Sequence, residues 1–92
     1  MNGMKCINLI YPQSSNPEKA ANEIKKILKK AEIQDLELDL SAMNVLDAVK
    51  VLVLTSSYLY KNLPEEKLKF RFVSADIKSL LSSFSLKNME MV

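Results

Sequence analysis

Hydroxyls and carboxylates are the residues of this 92-residue chain that could do chemistry, and they gather at two junctions. Asp39-Leu40-Ser41 is followed by Asn44 and Asp47, and Ser56-Ser57 by Tyr58 and Tyr60. Ser14 and Ser15 form a third, smaller group. Each serine could accept a phosphoryl group, although serines at turns ordinarily hydrogen-bond the backbone. The groups that would make them catalytic are missing. The chain has no histidine, which removes the commonest general base and metal ligand. Gly3 is its only glycine, so no glycine-rich phosphate loop can form. A non-enzymatic protein without cofactor or metal is the expectation.

Charge and cysteine usage narrow the partners. The net charge is +2, and Arg71 is the single arginine among 13 basic residues. Arginine supplies the planar fork that reads guanine edges and grips phosphates, so no specific nucleic-acid reader is expected. A lone cysteine, Cys6, leaves no intrachain disulfide and fits a reducing compartment. The opening MNGMKCINLIYP holds too short an apolar run for a signal peptide or a membrane span. The expectation is a cytoplasmic chain with no stable membrane insertion.

The elements that must position these residues follow from periodicity. KCINLIY, residues 5–11, reads as a strand ended by Pro12. Asn16 can cap a helix over about residues 17–31, with Pro17 first and Glu18 near its positive end; Ser15 with Glu18 is a second capping pattern. Ala20, Ala21, Ile24, Ile27, Leu28 and Ala31 share one face of that helix. Lys19, Lys25, Lys26, Lys29 and Lys30 lie opposite, a face that suits water, an acidic partner or a membrane surface. LELDL (36–40), LKFRFV (68–73) and the terminal MEMV each alternate apolar with mostly charged residues. Strands buried between two helix layers read as continuous apolar runs, so here the helices should gather on one face. The other face should hold Glu37, Asp39 and Glu90 beside Lys69 and Arg71, where cross-strand pairs of opposite sign contribute at most about 1 kcal/mol each. A last helix is expected over 75–84, with Ser74 as its cap, Asp76 in its first turn and Ile77, Leu80, Leu81 and Phe84 as its stripe. The expected fold is one α/β domain over 1–92, β-α-β-α-β-α-β, with a mostly parallel four-stranded sheet.

Residues 49–55, VKVLVLT, carry two readings. Their β-branched content favours a strand. In that reading NVLDAVKVLVLTSSYLY resembles the helix–strand–TSS segment of extended short-chain dehydrogenases, but GxGxxG is absent and neither Tyr58 nor Tyr60 has a lysine four residues on. In the helix reading, Val45, Ala48, Val49, Leu52, Ser56 and Leu59 form one face, with Asp47, Val51, Leu54 and Tyr58 roughly opposite.

The helix reading leads to a second resemblance. The chain resembles the STAS domain, the fold of the anti-sigma-factor antagonists. The shared pattern is a strand closing in Asp39-Leu40-Ser41, an apolar link from Met43 to Leu46, and Asp47 opening a long apolar helix. The basic and apolar strand Leu68 to Val73 and the stretch Ile77 to Leu81, with Leu86 following, continue it. The preceding strand–helix pair extends the likeness over about residues 5–92.

The resemblance implies a non-enzymatic protein-binding module in a bacterial-type regulatory or transport-associated complex. Its partner would be an anti-sigma factor of kinase type or a transporter subunit. Apart from the resemblance, Val51, Leu54 and Tyr58 form a second apolar line at spacing i, i+3, i+7 on the expected helix, either buried against a neighbouring helix or exposed as a partner or homodimer surface. Some family members bind nucleotide, which gives a small nucleotide-binding or enzymatic domain as the alternative. In the antagonists a phosphorylated serine or threonine follows the helix-opening aspartate. Here Ala48-Val49-Lys50 stands where Ser-Ser-Gly is typical, so the resemblance leaves no phospho-acceptor at Ala48. The partner-binding candidates are Ser41, Asn44, Asp47, Ala48, Lys50, Val51, Leu54 and Tyr58.

Overall fold

The computed structural model describes residues 8–30, 32–33, 36–72 and 86–91. Its elements run β1 (Asn8–Ile10), α1 (Pro17–Leu28), β2 (Leu36–Asp39), α2 (Val45–Asn62), β3 (Leu68–Arg71) and β4 (Met89–Met91). The expected helix at 75–84, with Ser74 and Val73, lies outside the described residues, as do residues 5–7 of the first expected strand.

The four strands form one sheet in the order β1-β2-β3-β4, and every neighbouring pair is parallel. A sheet whose spatial order repeats its chain order, with right-handed crossovers, puts successive helices on the same side. α1 and α2 accordingly pack against each other on one face of the sheet. Ile10, Leu38, Phe70 and Met91 form one row across the four strands, with Leu36, Leu68 and Met89 in the row on one side of it and Leu40, just beyond β2, on the other. These side chains join Ala20, Ile24 and Leu28 of α1 and Ala48, Val51, Leu52 and Leu59 of α2 in a single core. Each fully buried Leu or Ile contributes about 1.5–3 kcal/mol relative to exposure.

Local chemistry sets the helix bounds. Asn16 Oδ1 accepts hydrogen bonds from the Glu18 and Lys19 backbone N–H groups, with Pro17 in the first helical position. Asn16 is therefore the cap, and Ser15 is not. α1 ends earlier than expected because its last turn tightens, Lys30 N donating to Ile27 O at 3.0 Å. α2 is one continuous helix through residues 49–55, so the strand reading fails there. Propensity for β structure yields when an 18-residue apolar segment can bury a whole side against a sheet and a neighbouring helix. It stops at Leu63, whose N–H donates to Leu59 O at 2.7 Å, immediately before Pro64.

On the opposite face of the sheet the acids stand beside the bases as expected, and one of the paired acids is buried. Register aligns Leu9, Glu37, Lys69 and Glu90 in one row and Asp39 with Arg71 in the next. Lys69 and Glu90 are exposed, but Glu37 is only 3% exposed. Its Oε2 pairs diagonally with Arg71 Nε rather than with water. A carboxylate in a central strand is shielded by its neighbours on both sides, which alternation alone does not reveal.

β4 is held by side chains as well as by its ladder. Ser56 Oγ donates to Lys87 O at 2.6 Å, and Lys87 Nζ sits 4.8 Å from the Tyr60 ring centroid. Asn88 has φ 65 and its Nδ2 donates to Pro64 O (2.6 Å) and Glu66 O (2.8 Å). Asn tolerates this left-handed conformation, and two carbonyls of the turn between α2 and β3 gain its amide as a donor. Asn88→Gly keeps the conformation and loses the bonds; Asn88→Ala loses both. Thermal melts are expected to rank wild type above Gly above Ala, with about 1 kcal/mol at each step. Equal stability of the Gly and Ala variants would remove the backbone from this account.

Candidate functional site

The βα loops of a parallel sheet converge at the carboxyl ends of its strands; the order β1-β2-β3-β4 has no reversal to open a crevice there, so any site at this end is made by the loops themselves. Because β1 and β2 are parallel neighbours, their following loops stand side by side. They enclose a cleft of about 260 Å³ lined by Pro12, Gln13, Ser14 and Ser15 on one side and Ala42, Met43, Asn44 and Asp47 on the other.

Both walls are fixed by short-range hydrogen bonds. Ser14 Oγ accepts from Asn16 N at 3.1 Å, and Gln13 N donates to Glu23 Oε2 at 2.9 Å. Asp39 Oδ1 accepts from Ser41 N at 2.9 Å, bending the chain out of β2. Asn44 Oδ1 accepts from Asp47 N at 2.9 Å, while Asn44 Nδ2 donates to Asp47 Oδ2 at 2.9 Å. This reciprocal pair caps α2 and orients the Asp47 carboxylate. The loops thus form a preformed surface.

The expected site residues separate into three groups. Asn44 and Asp47 line the cleft, and Ser41 is exposed next to cleft-lining Ala42. Lys50 and Leu54 line a different feature, a groove of about 510 Å³ between α1 and α2 that also takes in Glu18, Ala21, Lys25 and Val53. Tyr58 is half-buried beneath Lys25, whose Nζ lies 5.8 Å from its ring centroid. Ala48 and Val51 are fully buried core residues and present no surface to a partner. Of the two readings of the Val51, Leu54 and Tyr58 line, burial against a neighbouring helix is the one the fold shows: the line turns toward α1 and the core. Ser56 is committed to Lys87 O, which makes it structural.

Burial of Ala48 bears on the resemblance directly. Ala48, the position that the resemblance sets against the phospho-acceptor, is fully buried in this chain. The exposed serines at this end of the sheet are Ser15 and Ser41.

Periodicity did not single out Pro12, Gln13, Ala42 and Met43 as site residues. Their only signal was position, just after strands that the sheet order makes adjacent. Electrostatically the cleft holds one charged side chain, Asp47, and no base. The Glu18, Lys19 and Asp47 amides at the two helix starts are occupied by their caps. Among the described residues no cluster of metal-ligating side chains occurs, and no helix is long and apolar enough to cross a membrane. Comparison with known protein families, curated proteins and solved structures finds no match for this chain.

Proposed function

We propose that the chain is a non-enzymatic protein-interaction module, acting in the manner of an anti-sigma-factor antagonist without a serine switch at Ala48. The observation that carries this reading is the preformed cleft between the β1–α1 and β2–α2 loops. It has ordered hydrogen-bonding groups and one carboxylate but no acid–base pair. Tyr11 is exposed immediately before the first wall and gives a partner an apolar anchor beside that polar cleft. Engagement is constitutive or controlled at a site other than Ala48. A transporter subunit is an equivalent partner for the same surface.

The nucleotide-binding alternative fares worse on charge. A phosphate in the cleft would meet the Asp47 carboxylate and amides already bonded to Asn16 and Asn44.

The test pairs partner capture with a blocked cleft. Ala42 is exposed on the rim, so Ala42→Arg fills the cleft without entering the core. Crosslinked capture from the source cell's lysate is expected to recover a specific protein with wild type and to lose it at least about tenfold with Ala42→Arg, at unchanged circular dichroism. Equal capture by both proteins overturns the cleft as the binding surface. Saturable nucleotide binding abolished by Ala42→Arg would replace this reading with the alternative.

A further inference from the structure

A long helix that is apolar on every side is normally buried on every side. α2 breaks that pattern. Asp47, Lys50 and Lys61 are its only charged residues, and its outward face carries Leu46, Val53 and Tyr60, which are 74%, 42% and 56% exposed. The three are spaced seven apart, so they fall nearly on one line along the helix, drifting only about 20° per step. From Leu46 to Tyr60 that line runs for about 21 Å.

We infer that this line is the contact by which two copies of the chain pair through antiparallel α2 helices, with Val53 on the two-fold axis. The inference is independent of the loop-cleft reading, because it uses the outer face of α2. Self-complementarity identifies the occupant as a second copy. An isologous contact needs a surface that matches itself after the two-fold rotation. About Val53, Leu46 of one copy meets Tyr60 of the other, both being seven residues from the axis. Val53 meets Val53, and Lys50 falls opposite Ser57 rather than another lysine.

The charges obey the same symmetry. α2 has its acid, Asp47, in the first turn and its base, Lys61, in the last. α1 repeats the arrangement with Glu18 first and Lys25 and Lys26 last. Antiparallel pairing sets the acid of one α2 near the base of the other. Asp47 and Lys61 of the partner copy are offset by two residues, about 3 Å, within the reach of a lysine. It also opposes the two helix dipoles. A parallel pairing would align Lys50 with Lys50 and Lys61 with Lys61.

The test uses the full chain in sedimentation velocity and in disulfide trapping, on a Cys6→Ser background whose fold is checked by circular dichroism. Concentration-dependent dimer is expected, and Val53→Asp should raise the dissociation constant at least about tenfold with the helical signal kept. On oxidation Val53→Cys should trap a dimer by itself. Leu46→Cys and Tyr60→Cys should each trap little alone but trap readily when mixed, because the register pairs them with each other. Lys26→Cys, exposed on α1, is the reference for random collision. A chain monomeric at about 200 μM overturns the inference. So does Val53→Cys trapping no faster than Lys26→Cys, or a mixed pair no better than its members. Loss of self-association with Ala42→Arg but not with Val53→Asp would also overturn it. Retained dimer in a chain that captures no partner would fault the cleft reading alone.

Discussion

Leu38→Ala is expected to cost about 3 kcal/mol of folding stability. Leu38 is fully buried in β2, an inner strand. Ile10 and Phe70 flank it in register, and α1 and α2 cover it from above. Neighbours on both strands and in the helical layer are held by backbone ladders, so they cannot collapse into the space left behind. The cost is then the lost transfer energy plus most of a cavity. A domain of this length has about 5–13 kcal/mol in total. The melting temperature should therefore fall by about 12–24 °C. Urea unfolding would show a lower midpoint at an unchanged slope. A loss below about 1 kcal/mol would mean that the core repacks freely at its centre.

Arg71→Met should cost about 2 kcal/mol, and Glu37→Leu in the same chain should return most of it. Glu37 is 3% exposed, and the Arg71 guanidinium is its ion-pair partner. Removing one member of a fully buried pair costs about 3–5 kcal/mol because the other charge is left without compensation. Here the Arg71 side chain is 49% exposed, so water already screens part of the interaction and the figure is reduced. Glu37 Oε2 makes no hydrogen bond among the described residues apart from its contact with Arg71, so it has little else to fall back on. The double variant removes the stranded charge together with its partner, and an apolar pair of similar volume is about neutral. Denaturant melts of the four proteins complete the cycle. If Arg71→Met alone is silent, Lys69, its neighbour in the next row, has taken over the carboxylate.

How much of this was readable in the residues varies by element. LELDL and LKFRF show their inner faces plainly, because a strand half-buried on one side has a period of two. Asn16-Pro17 marks the start of α1 through chemistry that needs no tertiary context. α2 was legible as an apolar block and not as an oriented one. With so few charged residues in 18 positions, periodicity cannot choose which side meets the sheet. That is why burial and exposure of the Val51 line both stay open in the residues, and why nothing in them marks Thr55. Thr55 is fully buried, and its Oγ1 has no hydrogen-bond partner among the described residues. Asn44 and Asp47 were legible as candidates through the STAS resemblance, and Ser14 and Ser15 as hydroxyls. Pro12, Gln13 and the meeting of the two loops were not, because which loops meet depends on strand order, a property of the assembled sheet. The burial of Glu37 has the same origin: its shielding comes from strands on both sides, which are remote in sequence.

The coincidence of strand order with chain order has a further consequence, for how the molecule comes apart. Each βα unit docks mainly on the unit that precedes or follows it in sequence, as in a short stack. Cooperativity in such a stack is nearest-neighbour, so its ends open before its middle. Amide exchange should be slowest for β2, β3 and the centre of α2, and fastest in β1 and β4, each three residues long. A segment lost from either end would then peel away a unit and leave the inner pair of strands still protected.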